Sequence, residues 1–298
     1  MADPRSDTAP RGVIHDIGYR SYQGPREGDG RIALALYVTA LRHAFGLGRS
    51  GRSKVLPVIL VVLAMLPAVV MVGVLAFVGA DEPLLSPLGY TNAVQVLVSI
   101  FAAAQAPVIF SRDLRSRSIA LYLARPLGAA TFALARLAAL VTAILLFVLV
   151  PQLLLFAGGL LAGLDVGEET LALLEALPVD LLIATLLGSI TGLVASIALR
   201  RGFAVVSSVL VLVVLHTVVT SIQFVTAETS ASDTIGQLAG LLSPWAIVNG
   251  VTDVLDAGVE SATPPEGAAM VALYVAVALL VVAACAAGLV QRFRKAGR

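Results

Sequence analysis

Residues 111–126, SRDLRSRSIALYLARP, form a strongly charged stretch between two long apolar runs: Arg112, Asp113, Arg115, Arg117 and Arg125, with Leu114 and Ser116 between them. Each such charge costs about 2.5–3.5 kcal/mol at the centre of a membrane helix, so a segment set between two long apolar runs must lie outside the hydrocarbon. Ile119, Leu121, Tyr122 and Leu123 follow at once. The pattern predicts a short amphipathic helix at a membrane surface, facing a soluble partner. Its chemistry is recognition of another protein.

Other polar residues lie inside apolar runs. His216 has Thr217, Thr220 and Gln223 close by in sequence. An ionisable residue at that depth faces a cavity or a partner. Two readings stay open, a substrate-pathway residue or a neutral histidine hydrogen-bonded to a neighbouring helix. Asn92, Gln95, Ser99 and Gln105 give an earlier run its own amides and hydroxyls. With His216, Thr220 and Gln223 they form the candidate substrate pathway.

No reaction centre assembles from these residues. There is no G-x-S-x-G nucleophile, and no carboxylate is expected at mid-membrane. His15, His43 and the single Cys285 do not make a metal site. Residues 46–53, GLGRSGRS, come close to the phosphate loop G-x-x-x-x-G-K-[ST], but Arg52 stands in place of the lysine. No strand precedes it and an apolar run follows. It reads as a basic hinge, and no other nucleotide signature appears. The chain is therefore expected to have no catalytic residue, bound cofactor or metal of its own.

The elements that position these residues follow from composition. Of 298 residues, 58% are hydrophobic and 13% charged, against about 25% charged in a soluble domain. The apolar residues fall in runs of the ~20 residues that span the ~30 Å hydrocarbon layer. The fold class is all-α, a polytopic membrane protein with six transmembrane helices. Residues 1–30 form a polar tail without the early apolar core of a cleavable signal. Within 31–54, Leu34, Tyr37, Val38, Leu41 and Phe45 recur at helical spacing and predict an amphipathic interfacial helix followed by a hinge. The spans run about 55–78, 90–110, 134–163, 181–199, 203–225 and 268–290, and 291–298 form a tail.

Charge placement sets the orientation. The 20 Lys and Arg residues fall in the N-terminal segment, in or just beyond 111–126, at 200–201 or in the C-terminal tail. The three other loops hold none of them and carry 13 of the 19 acidic residues. Basic loops stay cytoplasmic, so both termini, 111–126 and 200–202 are expected inside. Asp165, Glu168, Glu169, Glu175 and Asp180 are expected in an outer acidic loop.

Two further features concern packing. Ala184, Gly188, Gly192 and Ser196 place small residues on one helix face, for packing within the subunit or for a dimer seam. In the long connection 226–267, residues 242–255 read as a short helix with Pro244 in its first turn. Trp245 is expected at the membrane interface, with the helix dipping into the outer leaflet or capping the surface.

Taken together, these residues resemble the type-2 ABC exporter permeases. The likeness rests on six spans with both termini inside, the N-terminal interfacial helix, and a long outer connection before the last span. Closer matches are Arg125–Pro126 ending the charged stretch, TFALARL at 131–137 and SPW at 243–245. The IHDIGYR-Y-GPR tail is similar to a variant in actinobacterial members. The resemblance implies a non-catalytic subunit in the plasma membrane. Residues 111–126 become the coupling helix that docks on a separate ABC ATP-binding subunit, with Arg112, Asp113, Leu114, Arg115, Ser116, Arg117, Tyr122 and Arg125 as contacts. Arg200 and Arg201 give a second contact. ATP and Mg belong to that partner, and a second permease copy, identical or paired, completes the path for a hydrophobic or lipid-like cargo. Membrane lipid is a partner and nucleic acid is not. A secondary transporter or channel, or a membrane anchor in a larger complex, is the competing expectation.

Overall fold

The computed structural model describes residues 24, 28–80, 82–115, 128–198, 200–229, 233–254 and 262–296, with backbone alone at 112–115, 233 and 254. Every regular element among them is helical: α1 (Asp29–Ala44), α2 (Arg52–Val78), α3 (Pro87–Ala93), α4 (Gln95–Arg115), α5 (Ala129–Ala162) and α6 (Val166–Ile197). Then come α7 (Arg201–Glu228), α8 (Asp233–Gly240), α9 (Pro244–Val254) and α10 (Gly267–Ala296). Helices α2, α5, α6, α7 and α10 are each long and apolar enough to cross a bilayer. The pair α3–α4 reaches that length only across a 67° bend. This is a multi-pass membrane protein with five candidate spans among the described residues, or six if the bent pair is one span.

Local chemistry explains the helix ends. Gly79 (φ 66°) and Gly163 (φ 99°) stop α2 and α5 in the left-handed conformation that glycine adopts without a Cβ penalty. Asp165 caps α6, its Oδ1 accepting from the N–H groups of Gly167 (2.8 Å) and Glu168 (3.0 Å). Glu168 and Glu169 then sit in the first turn, where the helix dipole favours acids. These signals start the helix well before residue 181. The expected acidic loop is therefore largely the first half of α6, and Glu175 and Asp180 are helical.

The core is built on α5, which packs against α1, α2, α4, α6 and α10. Phe101 of α4 stacks on Phe147 of α5 at 4.4 Å, and Phe45 approaches Phe101 at 5.8 Å. The apolar stripe of α1 divides. Tyr37, Leu41 and Phe45 turn to the core, and Tyr37 donates to Thr142 Oγ1 of α5 (3.1 Å). Leu34 and Val38 face outward, Leu34 at 60% exposure. The small-residue face of α6 is covered by this chain itself. A Cβ on Gly188 would stand 3.1 Å from Val141, and one on Gly192 3.0 Å from Phe110. That face is used for packing within the subunit.

One end of the bundle collects the C-terminal ends of α4, α6 and α10 and the N-terminal end of α5. Ser111 donates to the Ala195 carbonyl (2.7 Å), and Arg136 Nη1 to that of Ile109 (2.6 Å). Arg136 also lies 4.3 Å above the Phe132 ring, Phe132 packs on Phe293 (5.3 Å), and Arg292 Nε donates to the Ser196 carbonyl (3.3 Å).

Candidate functional site

The polar groups of the helices meet in two places. The first is the junction of α3, α5 and α6. Asp180 is 0% exposed near the middle of α6, beside Thr91 of α3 and Gln152 of α5, both buried. Thr91 Oγ1 lies 3.4 Å from Asp180 Oδ1, and Gln152 Nε2 donates to Thr91 Oγ1 (2.8 Å) and to the Pro87 carbonyl (3.1 Å). Asp180 Oδ2 and Gln152 Oε1 have no hydrogen-bond partner among the described residues. Each of the two acceptors follows an intrahelical proline, Pro151 before Gln152 and Pro178 shortly before Asp180. A proline removes one N–H from the ladder, which local polar groups and neighbouring helices re-satisfy.

Sequence reasoning missed this cluster because it assigned Asp180 to a loop. The cap at Asp165 and the spacing of apolar residues beyond Pro178 were the signals that could have placed it on the helix.

The second place lies around α9, which packs against α10, α6 and α7 and reaches α3 and α4 through side chains. Trp245 is 1% exposed, and its Nε1 donates to Ser99 Oγ (2.8 Å). It is thus a core residue and not, as expected, exposed at a membrane surface; its N–H has its partner inside the protein. Asn249 Nδ2 reaches Asn92 Oδ1 at 3.5 Å. His216 Nδ1 lies 3.0 Å from Ser243 Oγ at the start of α9, and its Nε2 3.5 Å from Thr220 Oγ1. Just before it, α7 widens into a π-helical turn over Leu210–Val214, a feature frequent at functional sites. Gln223 donates to the Gly236 carbonyl of α8 (3.3 Å), and Tyr274 of α10 to that of Gln237 (2.6 Å).

The seven pathway candidates separate accordingly. Ser99, Gln105 and Gln223 are covered by the chain's own helices. Asn92, Gln95 and His216 are half-buried, and Thr220 is exposed. Gln95 keeps a buried Oε1 with no partner among the described residues. His216 and Thr220 are brought together, whereas Gln105 stands apart.

For the coupling segment, α4 continues as helix through Arg112, Asp113, Leu114 and Arg115, and Ser116, Arg117, Tyr122 and Arg125 lie outside the described residues. Arg200 and Arg201 are both exposed but line different cavities. Arg200 borders an open apolar groove with Ile197 and Phe203, and Arg201 a basic cavity beside α2 and α4.

No metal-binding group of three or more His, Cys, Asp or Glu forms among the described residues. No family model and no curated protein matches the chain.

Proposed function

We propose that this chain is the transmembrane permease subunit of an ATP-driven ABC exporter. On this reading α2, the bent pair α3–α4, α5, α6, α7 and α10 are six spans with both termini cytoplasmic in the plasma membrane. A separate ATP-binding subunit carries ATP and Mg and docks on 111–126, with Arg200–Arg201 as a second contact. A second permease copy completes the translocation path.

One observation carries the reading. The packing of Ser111, Arg136, Phe293 and Arg292 ties the exit of α4 and the entry of α5 to the ends of α6 and α10. A force applied to the charged segment between α4 and α5 would therefore reach several spans at once. Such a segment suits a coupling element, since rigid packed helices carry displacement. With Ser99, Gln105 and Gln223 covered, a path between copies is left to Asn92, Gln95, His216, Thr220 and apolar surface, which suits a hydrophobic or lipid-like cargo.

The test is co-purification with a Walker-motif ATPase encoded beside this chain, and cargo-stimulated ATP hydrolysis in proteoliposomes. Arg115→Glu should release the ATPase and stop transport. An Arg115→Glu protein that transports normally, or a chain that never retains an ATPase, overturns the proposal.

The buried Asp180 favours a second reading, an ion-coupled secondary transporter, because carboxylates at membrane depth often serve proton or cation relays. Transport driven by an ion gradient without ATP, and lost in Asp180→Asn, would select it.

A further inference from the structure

The near-phosphate-loop GLGRSGRS folds as a tight turn. Gly46 (φ 71°) and Gly48 (φ 75°) are left-handed, and a Cβ on Gly46 would stand 2.7 Å from the Ser53 carbonyl oxygen. Ser53 Oγ donates to the Ser50 carbonyl (2.7 Å) and holds the turn closed. The turn places Arg49 and Arg52 on the wall of a cavity of about 80 Å³ shared with Arg201 of α7 and Gln105 of α4. That is several times the roughly 10–15 Å³ one water requires, enough for a phosphate-sized group and far too little for a nucleotide.

Three features of this cavity suit an anion, and a fourth suits an apolar body attached to it. Arg49, Arg52 and Arg201 line it, and no carboxylate does among the described residues. The N-terminus of α7 at Arg201 borders it, and Arg200 supplies no side-chain cap there, whereas at α2 the Ser50 and Gly51 carbonyls already accept from Ser53 and Lys54. Gln105 is 2% exposed, lies on the cavity wall and has no hydrogen-bond partner among the described residues. Finally, Leu56, Pro57 and Val108 give the same cavity an apolar wall. Leu56 and its neighbours Val55 and Ile59 are exposed on the outer face of α2. A ligand seated here has a charged end against the arginines and an apolar body along α2.

We propose that this cavity binds the phosphate headgroup of an anionic membrane lipid, with the acyl chains lying on α2. Basic pockets between membrane helices bind such headgroups. The site does not depend on the permease reading and would operate equally in a channel or an anchor.

The experiment uses the full chain in nanodiscs of phosphatidylcholine doped with phosphatidylglycerol, and native mass spectrometry counts retained lipid. Arg52→Ala/Arg201→Ala should lower phosphatidylglycerol retention about 30-fold, from about 1 kcal/mol for each basic residue. Gln105→Leu, which keeps every charge, should lower it several-fold, while Arg294→Ala in the exposed last turn of α10 should leave it unchanged. Inorganic phosphate at millimolar concentration should fail to displace the lipid. Displacement by free phosphate assigns the site to a soluble anion and overturns the lipid proposal. Equal retention of phosphatidylcholine, an equal loss in Arg294→Ala, or full retention in folded Gln105→Leu also overturns it.

Discussion

Thr91 on α3 and Asp180 on α6 face each other inside the protein, hydroxyl to carboxylate at 3.4 Å, from positions 89 residues apart. The contact ties the short helix before the 67° bend to the middle of a long span. It also leaves one carboxylate oxygen beside the Gln152 amide with no partner among the described residues.

Asp180→Asn is close to isosteric and adds an N–H₂ group near the unpartnered Gln152 Oε1. For an ATP-driven permease the variant should fold, unfold at an equal or higher temperature and keep ATP-dependent transport. Asp180→Leu removes one acceptor of Thr91 Oγ1, which keeps the Pro87 carbonyl (3.3 Å), and should cost about 0.5–1.5 kcal/mol. Thermal unfolding of the solubilised protein with transport in proteoliposomes reads both effects. A stable Asp180→Asn without transport would give the carboxylate a role in the cycle.

Trp245 is the single tryptophan of the chain, so fluorescence reports on its site alone. Its burial against Ser99 should give blue-shifted emission that aqueous quenchers and brominated lipids barely touch. Trp245→Phe keeps the ring volume roughly but orphans the Ser99 hydroxyl, and should destabilise by about 1–3 kcal/mol. Strong quenching by brominated lipid would put the ring at the bilayer and contradict the packing.

Gly188 and Gly192 let α5 and α4 approach α6 closely. Gly188→Leu should force α5 away and cost about 1–3 kcal/mol or more through overpacking. The expected signature is a lower unfolding temperature with the oligomeric state, measured by light scattering in detergent, unchanged. A stable variant whose oligomer dissociates would instead place this face between subunits.

Arg136 holds the Ile109 carbonyl and covers the Phe132 ring at once. Lysine matches neither the planar stacking nor the forked donor geometry. Arg136→Lys should therefore loosen the α4–α5 end, seen as faster hydrogen exchange at the C-terminal turns of α4 while the centre of α5 stays protected. Exchange that does not change would make the arginine dispensable for this joint.

The amino-acid sequence alone determined that this chain is helical and belongs in a membrane. Apolar runs long enough to span the hydrocarbon cannot stay soluble, and Arg112–Arg125 cannot enter it. The same local logic foresaw the helix at Pro244–Val254, because a proline in the first turn and an apolar stripe are neighbours in sequence. What the tertiary structure decided is where the polar groups go. Asp165 and Asp180 are both acids near a run of glutamates, yet one caps a helix and the other is sealed beneath Thr91 and Gln152. Trp245 is amphipathic at either a membrane surface or a core, and only Ser99, 146 residues away, selects the core. Arg200 and Arg201 are adjacent in the chain, yet the start of α7 turns them into different cavities. A side chain's partner depends on which helices stand beside it, and helix adjacency is set by packing over distances that residue type and spacing do not encode.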